Sequence, residues 1–354
     1  MDQACMTAPI PARRKSRFWL YAPFVLLALI AAGWSGFWFY VQGRVTETLD
    51  NALAREAQAG RSWTCADRSV GGYPFRIEVR CASLTLTSTR WGDLVSVQTG
   101  PSVAVGQIYT PGLAIVQVTG PLQASLPEGR KLNLGWKQFE ASAALTLSGF
   151  ERLSLVMAEP NGVLTAPGKA DETWRAAQFE LHARRNPTRP ATDQATDIAV
   201  STKGSVLPGL DALIGNAEPG DLDLQATVTQ SVAFRRGFNP DALETWRAAG
   251  GLIELTKLAT TKGTARIEAS GRILLDPAHR VSGQVNAAVA GIERIGGIQV
   301  GGLMAGLGGL LGGRQPQAGA TPGLVSIPPL VLRDGRLYIG PLRVPGINAV
   351  QPLY

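Results

Sequence analysis

The chain has 354 residues, of which 45% are hydrophobic and 17% charged, with 41 Gly and 23 Pro. Its charge content lies below the usual quarter or so, which excludes a long disordered polymer and leaves one large or two ordinary domains with a real core. Four basic residues and one acidic residue in residues 1–17 supply +3 of the formal +7; the remaining +4 (7 minus 3) is spread too thinly to argue for nucleic acid.

Phe18 to Val41 runs for 24 residues without Asp, Glu, Lys or Arg. As a helix it covers about 36 Å, enough to cross a hydrocarbon core of about 30 Å. Trp19 and Tyr21 stand at one end and Trp38 and Tyr40 at the other, the arrangement of an aromatic belt. Arg13, Arg14, Lys15 and Arg17 precede the span. The positive-inside rule therefore predicts a cytoplasmic basic tail (1–17), a transmembrane helix (18–41) and a large periplasmic part, as in a single-pass protein of a bacterial inner membrane. The rival is a cleaved signal peptide, whose apolar core runs only about 7–15 residues and ends at a small-residue site that this run lacks.

Cys5 falls on the cytoplasmic side of this topology. Cys65 and Cys81 fall outside, an even pair in an oxidising compartment, and the expectation is a disulfide; two unpaired thiols are the alternative. Closing that loop stabilises a domain by about 3 kcal/mol in the loop-entropy account. His182 and His279 are the two histidines and neither lies near a cysteine, so no metal site is predicted.

Residues 44–60 read as a helical stalk continuing from the anchor: Val45, Leu49, Ala52 and Leu53 keep helical spacing and Gly60 offers a stop. The period then changes to two. Phe75, Ile77, Val79 and Cys81 alternate with Arg76, Glu78 and Arg80, and Leu84 and Leu86 follow one residue out of phase, which predicts a bulge near Ala82. Further strands are expected around Val103 and Val105 and over Ile115–Val118, Ala143–Leu147, Leu153–Met157, Phe179–Ala183, Ile198–Val200 and Leu222–Val228. Turns are expected at Thr110-Pro111-Gly112, Gly120-Pro121, Pro127-Glu128-Gly129, Asn161-Gly162 and Pro167-Gly168. Arg184 to Asp197 is polar and contains prolines, the best candidate for a flexible hinge or lobe boundary.

A short helix is expected within Leu207–Asn216 and a second is well marked after Asn239. There Asn239 caps, Pro240 fits the first position, Asp241 complements the positive end, Leu243 and Trp246 anchor one face, and Gly250-Gly251 stops it. The pentapeptide Thr-Trp-Arg-Ala-Ala begins at both Thr173 and Thr245 and reads as coincidence. Ala265 to Ile273 and Val281 to Val289 alternate strictly around a turn at Asp276–Arg280, a meander with one apolar and one wet face. Ile295 to Gly313 is uncharged over 19 residues, nine of them Gly. Glycine costs about 1 kcal/mol each inside a helix, which disfavours a second span. An irregular segment lying on the sheet and a membrane-contacting segment both remain open, and 295–321 is read as flexible. Val325–Leu332 and Leu337–Leu342 close the chain around Asp334-Gly335.

The anchor, Trp63-Thr64-Cys65, Gly71-Gly72-Tyr73-Pro74-Phe75-Arg76-Ile77 and Cys81 together resemble a family of uncharacterised bacterial envelope proteins, domain of unknown function 2125. That resemblance covers residues 18–90 best and implies no activity and no catalytic residue. Thr264 to Ile292 also resembles the repeating strand-turn-strand pattern of AsmA-type envelope proteins, which implies an anchored, groove-like β protein in lipid homeostasis.

Catalytic templates fail. There is no Gly-x-Ser-x-Gly elbow and no His-Glu-x-x-His, and Gly162 to Lys169 has the wrong spacing for a phosphate loop. Tyr73, Phe75 and Arg76 are the candidate binding residues, since a guanidinium beside aromatic rings suits an anionic headgroup or a carboxylate. In the structural reading Pro74 starts an edge strand, Phe75 enters the core and Arg76 pairs locally. The expectation is a mainly β fold: an N-terminal transmembrane helix and an antiparallel, open or curved β-sheet body (61–354) with a few short helices. The expected function is non-catalytic and cofactor-free, binding lipid or another hydrophobic ligand in envelope maintenance. A structural or signalling module that binds another envelope protein through an edge strand is the alternative, and an envelope hydrolase is third.

Overall fold

The computed structural model describes residues 18–354, apart from 92, 111, 147–148, 209–210, 213–214, 293, 296–297, 300–322 and 344–350. The expected basic tail, most of the Gly-rich stretch and Gln315–Thr321 lie outside the described residues. The segments expected as anchor and stalk form one helix, α1 (Phe18–Gln58), of 41 residues and about 60 Å.

Strands follow in chain order: β1 (Arg61–Ala66), β2 (Ser69–Gly71), β3 (Arg76–Cys81), β4 (Ser83–Trp91), β5 (Asp93–Thr99), β6 (Ser102–Gln107) and β7 (Leu113–Val118). Next come β8 (Leu122–Ser125), β9 (Lys131–Gly135), β10 (Gln138–Thr146), β11 (Gly149–Ala158), β12 (Asn161–Thr165) and β13 (Glu172–Arg175). Then come β14 (Gln178–Arg185), β15 (Thr196–Ser205), β16 (Gly220–Val228), helix α2 (Pro240–Ala248), β17 (Ile253–Lys262), β18 (Ala265–Leu275) and β19 (Val281–Ala290). The last are β20 (Arg294–Ile295), β21 (Ile298–Gln299), β22 (Val325–Arg333), β23 (Arg336–Ile339) and β24 (Leu342–Arg343).

Apart from the small β20-β21 pair, these strands build two open antiparallel sheets. The larger has fifteen strands, β2-β3-β6-β7-β10-β11-β14-β15-β16-β17-β18-β19-β22-β23-β24; the smaller has seven, β1-β4-β5-β8-β9-β12-β13. Up to β14 the chain therefore lays one hairpin in one sheet and the next hairpin in the other. The steps between sheets are one to three residues long: Asp67-Arg68, Ala82, Gly100-Pro101, Thr119 to Pro121, Trp136-Lys137, Glu159-Pro160 and Ala176-Ala177. At no more than about 3.6 Å per residue, such links hold the two sheets together along one seam. The far ends of the hairpins form two separate rims, and the paired sheets make a V-shaped trough.

This topology corrects two expectations. The phase change near Ala82 is no bulge. It is the first step from the large sheet to the small one, with Ala82 N–H donating to Ala66 O at 2.9 Å. Asn161-Gly162 is no turn either. It opens β12, where Gly162 faces Trp174 across the ladder. A Cβ on Gly162 would lie 2.3 Å from the Trp174 ring, so glycine serves here for close approach to an indole.

Elsewhere the local chemistry acts as its residues predict. Asn239 Oδ1 accepts from Ala242 N–H at 2.9 Å and starts α2 at Pro240. Asp276 Oδ1 accepts from Ala278 and Arg280 N–H and makes the β18-β19 turn. Burial along β18 alternates from Ala265 to Leu275 as the sequence alternates. In Leu207–Asn216 the described helical positions are 208, 211 and 212. The polar connection between β14 and β15 joins two paired neighbours of the large sheet. Asn186 Oδ1 accepts from Thr188 and Arg189 N–H, and Arg189 forms ion pairs with Asp193 and Glu254.

The helix α1 lies against β1 and β2, the first strands of the two sheets. Gln42 Nε2 donates to Val70 O at 2.8 Å, Arg68 pairs with Asp50 at 2.7 Å, and Arg61 pairs with Glu56 at 2.6 Å. A helix laid over strand edges removes a template for unwanted pairing.

Candidate functional site, an apolar trough

In an antiparallel ladder, residues directly opposite share a face, so register reveals what each face carries. In the large sheet one row runs in register across twelve successive strands: Val79, Ala104, Val116, Ala141, Leu155, Leu181, Val200, Leu224, Leu258, Ala269, Ala287 and Ile327. The opposite face carries Ser142, Ser154, His182, Gln225 and Lys257 at neighbouring register positions. The small sheet has its own apolar row: Trp63, Leu86, Val97, Ala124, Leu132 and Leu164.

The disulfide shows how the two faces stand. Cys65 shares the face of Trp63, and Cys81 shares the face of Val79. Their sulfurs are bonded, with Cα atoms 5.2 Å apart. A bond between those faces requires the apolar sides to look at one another across the seam. Trp136 sits on the seam, donating Nε1–H to Val118 O at 2.8 Å and packing on Phe139 with ring centroids 5.5 Å apart. None of the twelve residues of the large-sheet row is buried and none is fully exposed; each is half-buried. A sealed sandwich would bury such a row. Cys65→Ser with Cys81→Ser unties β1 of the small sheet from β3 of the large one. Its expected cost is about 3 kcal/mol, read as a lowered guanidinium midpoint against the oxidised wild type.

Tyr73, Phe75 and Arg76 are brought together, at the end of the large-sheet rim that meets the apolar half of α1. Trp34 Nε1 donates to Pro74 O at 2.8 Å and Trp38 Nε1 to Arg76 O at 3.0 Å. Ser35 Oγ and Tyr73 OH share a hydrogen bond of 2.8 Å. The Tyr73 ring meets Trp38 edge-on at 5.4 Å, and Phe75 lies 6.1 Å from Trp34. Phe75 is 61% exposed and rests on the helix, not in a core. Pro74 starts no edge strand: β3 follows it, inside the large sheet, whose edge is β2. Arg76 does pair locally, with the buried Glu78 at 2.5 Å.

The trough also has a compartment that sequence reasoning missed. At the large-sheet rim the connection between β16 and β17, with its 3-10 turn Ser231–Arg236 and α2, folds back over the apolar face. It partly covers an open cavity of about 910 Å³ lined by Phe150, Ile198, Val228, Phe234, Phe238, Trp246, Ile253, Ile273 and Val281 among others. Arg185 and Arg235 line it too, and among the described residues no Asp or Glu does. Leu243, Trp246 and Leu275 form the buried cluster beneath α2. Nearby, hydrogen bonds from Arg247 and Tyr354 pull the Glu244 carboxyl down to about 2. Among the described residues, no group of three or more His, Cys, Asp or Glu is placed to hold a metal ion.

Residues 38–347 match the family described as "Uncharacterized protein conserved in bacteria (DUF2125)". No curated protein and no solved structure matches the chain.

Proposed function

The chain belongs to this DUF2125 family of uncharacterised bacterial proteins, and from that premise we propose a non-catalytic envelope protein, anchored in the inner membrane, that binds lipid or another hydrophobic ligand in its trough. The observation that carries this reading is the half-buried apolar row in register over twelve strands. A contiguous apolar surface left open to water marks a site for a hydrophobic partner.

The proposed topology is a cytoplasmic N-terminus and a periplasmic trough. Arg13, Arg14, Lys15 and Arg17 before the span support it, and so does a disulfide between Cys65 and Cys81, which suits an oxidising compartment. The contacts of α1 with Tyr73 to Arg76 support an anchor over a cleaved signal: removing α1 at its apolar end strips Trp34, Ser35 and Trp38 from that segment. About 20 helical residues from Phe18 reach across the hydrocarbon. Trp34 and Trp38, with the exposed Tyr73 and Phe75, then lie at the outer interface, where aromatic rings are favoured.

The test is native mass spectrometry and lipid extraction on the purified full-length chain. Wild type is expected to carry a hydrophobic ligand. Leu181→Asp, which puts a charge in the middle of the row, is expected to lose it while keeping a melting temperature within a few degrees, because the new carboxylate stays hydrated in an open trough. Wild type free of ligand, with crosslinking in cells to a stoichiometric protein partner, would overturn the reading in favour of a protein-binding module.

A further inference from the structure

The turns that end the hairpins differ between the two rims. On the large-sheet rim the first three, at β2-β3, β6-β7 and β10-β11, fall within residues 71–75, 107–113 and 145–150, and none of these segments holds Asp, Glu, Lys or Arg. They hold Tyr73, Phe75, Tyr109 and Leu145, each more than half exposed, with Phe150 beside them. On the small-sheet rim the β8-β9 turn leads through Glu128 and Arg130 to Lys131, and the β12-β13 turn through Lys169 and Asp171 to Glu172. Turns that stand in water are polar, as on the small sheet. Large apolar side chains gathered along one edge mark a contact.

The three turns form one strip. Ile108 N–H donates to Phe75 O at 3.2 Å, and Leu145 N–H donates to Gly112 O at 2.8 Å. The sheet order puts about 19 Å between the first turn and the third, at about 4.8 Å per strand. The strip begins on α1, where Trp34 and Trp38 donate to the carbonyls of Pro74 and Arg76. Further along the helix Gln42 meets Val70 and Asp50 meets Arg68. From Trp34 to Asp50 is about 24 Å of helix, and from Pro74 back to Arg68 is about 20 Å of extended chain. The two run side by side in opposite directions. β2 therefore lies along the helix axis, and the turn at its end points back toward the apolar half of α1.

Resting on the reading of α1 as a membrane anchor, we infer that this strip lies on the outer surface of the same bilayer, with Tyr73, Phe75, Tyr109 and Leu145 among the lipid headgroups. A helix that crosses the membrane stands the strand beside it upright. The rim turns then lie at the level where Trp34 and Trp38 leave the hydrocarbon, a level that aromatic rings favour. Turns without charge enter it without the cost of stripping water from an ion. The bilayer is the occupant that continues an existing contact, because the strip starts on the very residues that α1 holds. Leu145 and Phe150 belong both to the strip and to the lining of the cavity beside α2. That cavity therefore opens next to the leaflet, where an acyl chain reaches the trough without passing through water.

The experiment puts one fluorophore-labelled cysteine at a time into the full-length chain carrying Cys5→Ser, which leaves the Cys65–Cys81 disulfide in place. Each protein is reconstituted in vesicles of phosphatidylethanolamine and phosphatidylglycerol that contain nitroxide-labelled lipid. Labels at Tyr109→Cys and Leu145→Cys are expected to be quenched severalfold more strongly than labels at Glu128→Cys and Lys169→Cys on the other rim. All four side chains are exposed, so the labels leave the packing alone. A label at Leu29→Cys, in the apolar half of α1, reports on the anchor itself. Strong quenching at 29 with no more at 109 and 145 than at 128 and 169 would overturn the inference and leave the anchor standing. Labels at 109 and 145 that are shielded from aqueous iodide yet not reached by the lipid nitroxide would overturn it in favour of a protein, a partner or a second copy, on the strip. Absence of quenching at 29 would instead remove the reading of α1 as an anchor, and the inference with it.

Discussion

Asp211→Ala lowers the stability of the sheet domain by about 3–5 kcal/mol, the cost of breaking a buried ion pair from one side. Lys262, at the end of β17, is 1% exposed, and its Nζ lies 2.6 Å from Asp211 Oδ1. Asp211 is 9% exposed and also accepts from Leu207 N–H at 3.3 Å. The pair ties the connection between β15 and β16 to the large sheet at the seam side. Removing the carboxylate strands an ammonium in a site that water does not reach. Lys262→Met combined with Asp211→Leu takes both charges out together and is expected to be close to neutral. A urea or guanidinium titration of the three proteins reads both results. A double variant as unstable as Asp211→Ala would show that packing, not charge, sets the cost.

Trp246→Ala is the second large loss, again about 3–5 kcal/mol, because a wide buried ring leaves a hole that its neighbours fill only in part. Trp246 is 3% exposed and donates Nε1–H to Thr229 O at 2.7 Å. Gly251 lies flat against it, so close that a Cβ there would sit 2.3 Å from the indole. Phe234 packs at 5.9 Å between ring centroids. The substitution therefore weakens the roof of the cavity as well as its floor. Trp246→Phe keeps most of the packing and loses the hydrogen bond; its expected cost is about 1–3 kcal/mol for the unpaired carbonyl. Denaturation midpoints measured together with lipid retention separate the two effects. A Trp246→Ala protein with unchanged midpoint would mean that α2 is not held by this ring.

What the sequence discloses depends on how local the cause is. The cap at Asn239 and the alternation of Ala265 to Leu275 are each decided within a few residues, and both are legible. The phase slip after Cys81 is also visible, but its meaning is not. A bulge and a step into another sheet shift the pattern alike, and only pairing partners far along the chain distinguish them. Glu172–Ala177 and Glu244–Ala249 are the same six residues, yet Glu172 to Arg175 are strand and Glu244 to Ala248 are helix. The second copy follows a capping Asn-Pro-Asp, and the first meets β12. At the candidate site the apolar rows were readable strand by strand, while their register and their facing across a seam were not. The cavity draws on β11, β14 and the α2 connection, and its one local hint is Arg185, out of place in its own alternation.

The sheet order carries a mechanical consequence. Fifteen strands spaced about 4.8 Å apart make an object about 70 Å long, and each interior strand bonds only to its two neighbours. Stability in such a chain of neighbours is a sum of interface terms, as in a one-dimensional lattice, and melting starts where a neighbour is missing. One end is closed by α1 and stapled by Cys65–Cys81; the other, among the described residues, ends in the two-residue strand β24. The protein is thus a zipper with one locked end. Hydrogen exchange should grow steadily faster toward β24, so that the distal strands open and reclose while the proximal trough keeps its shape.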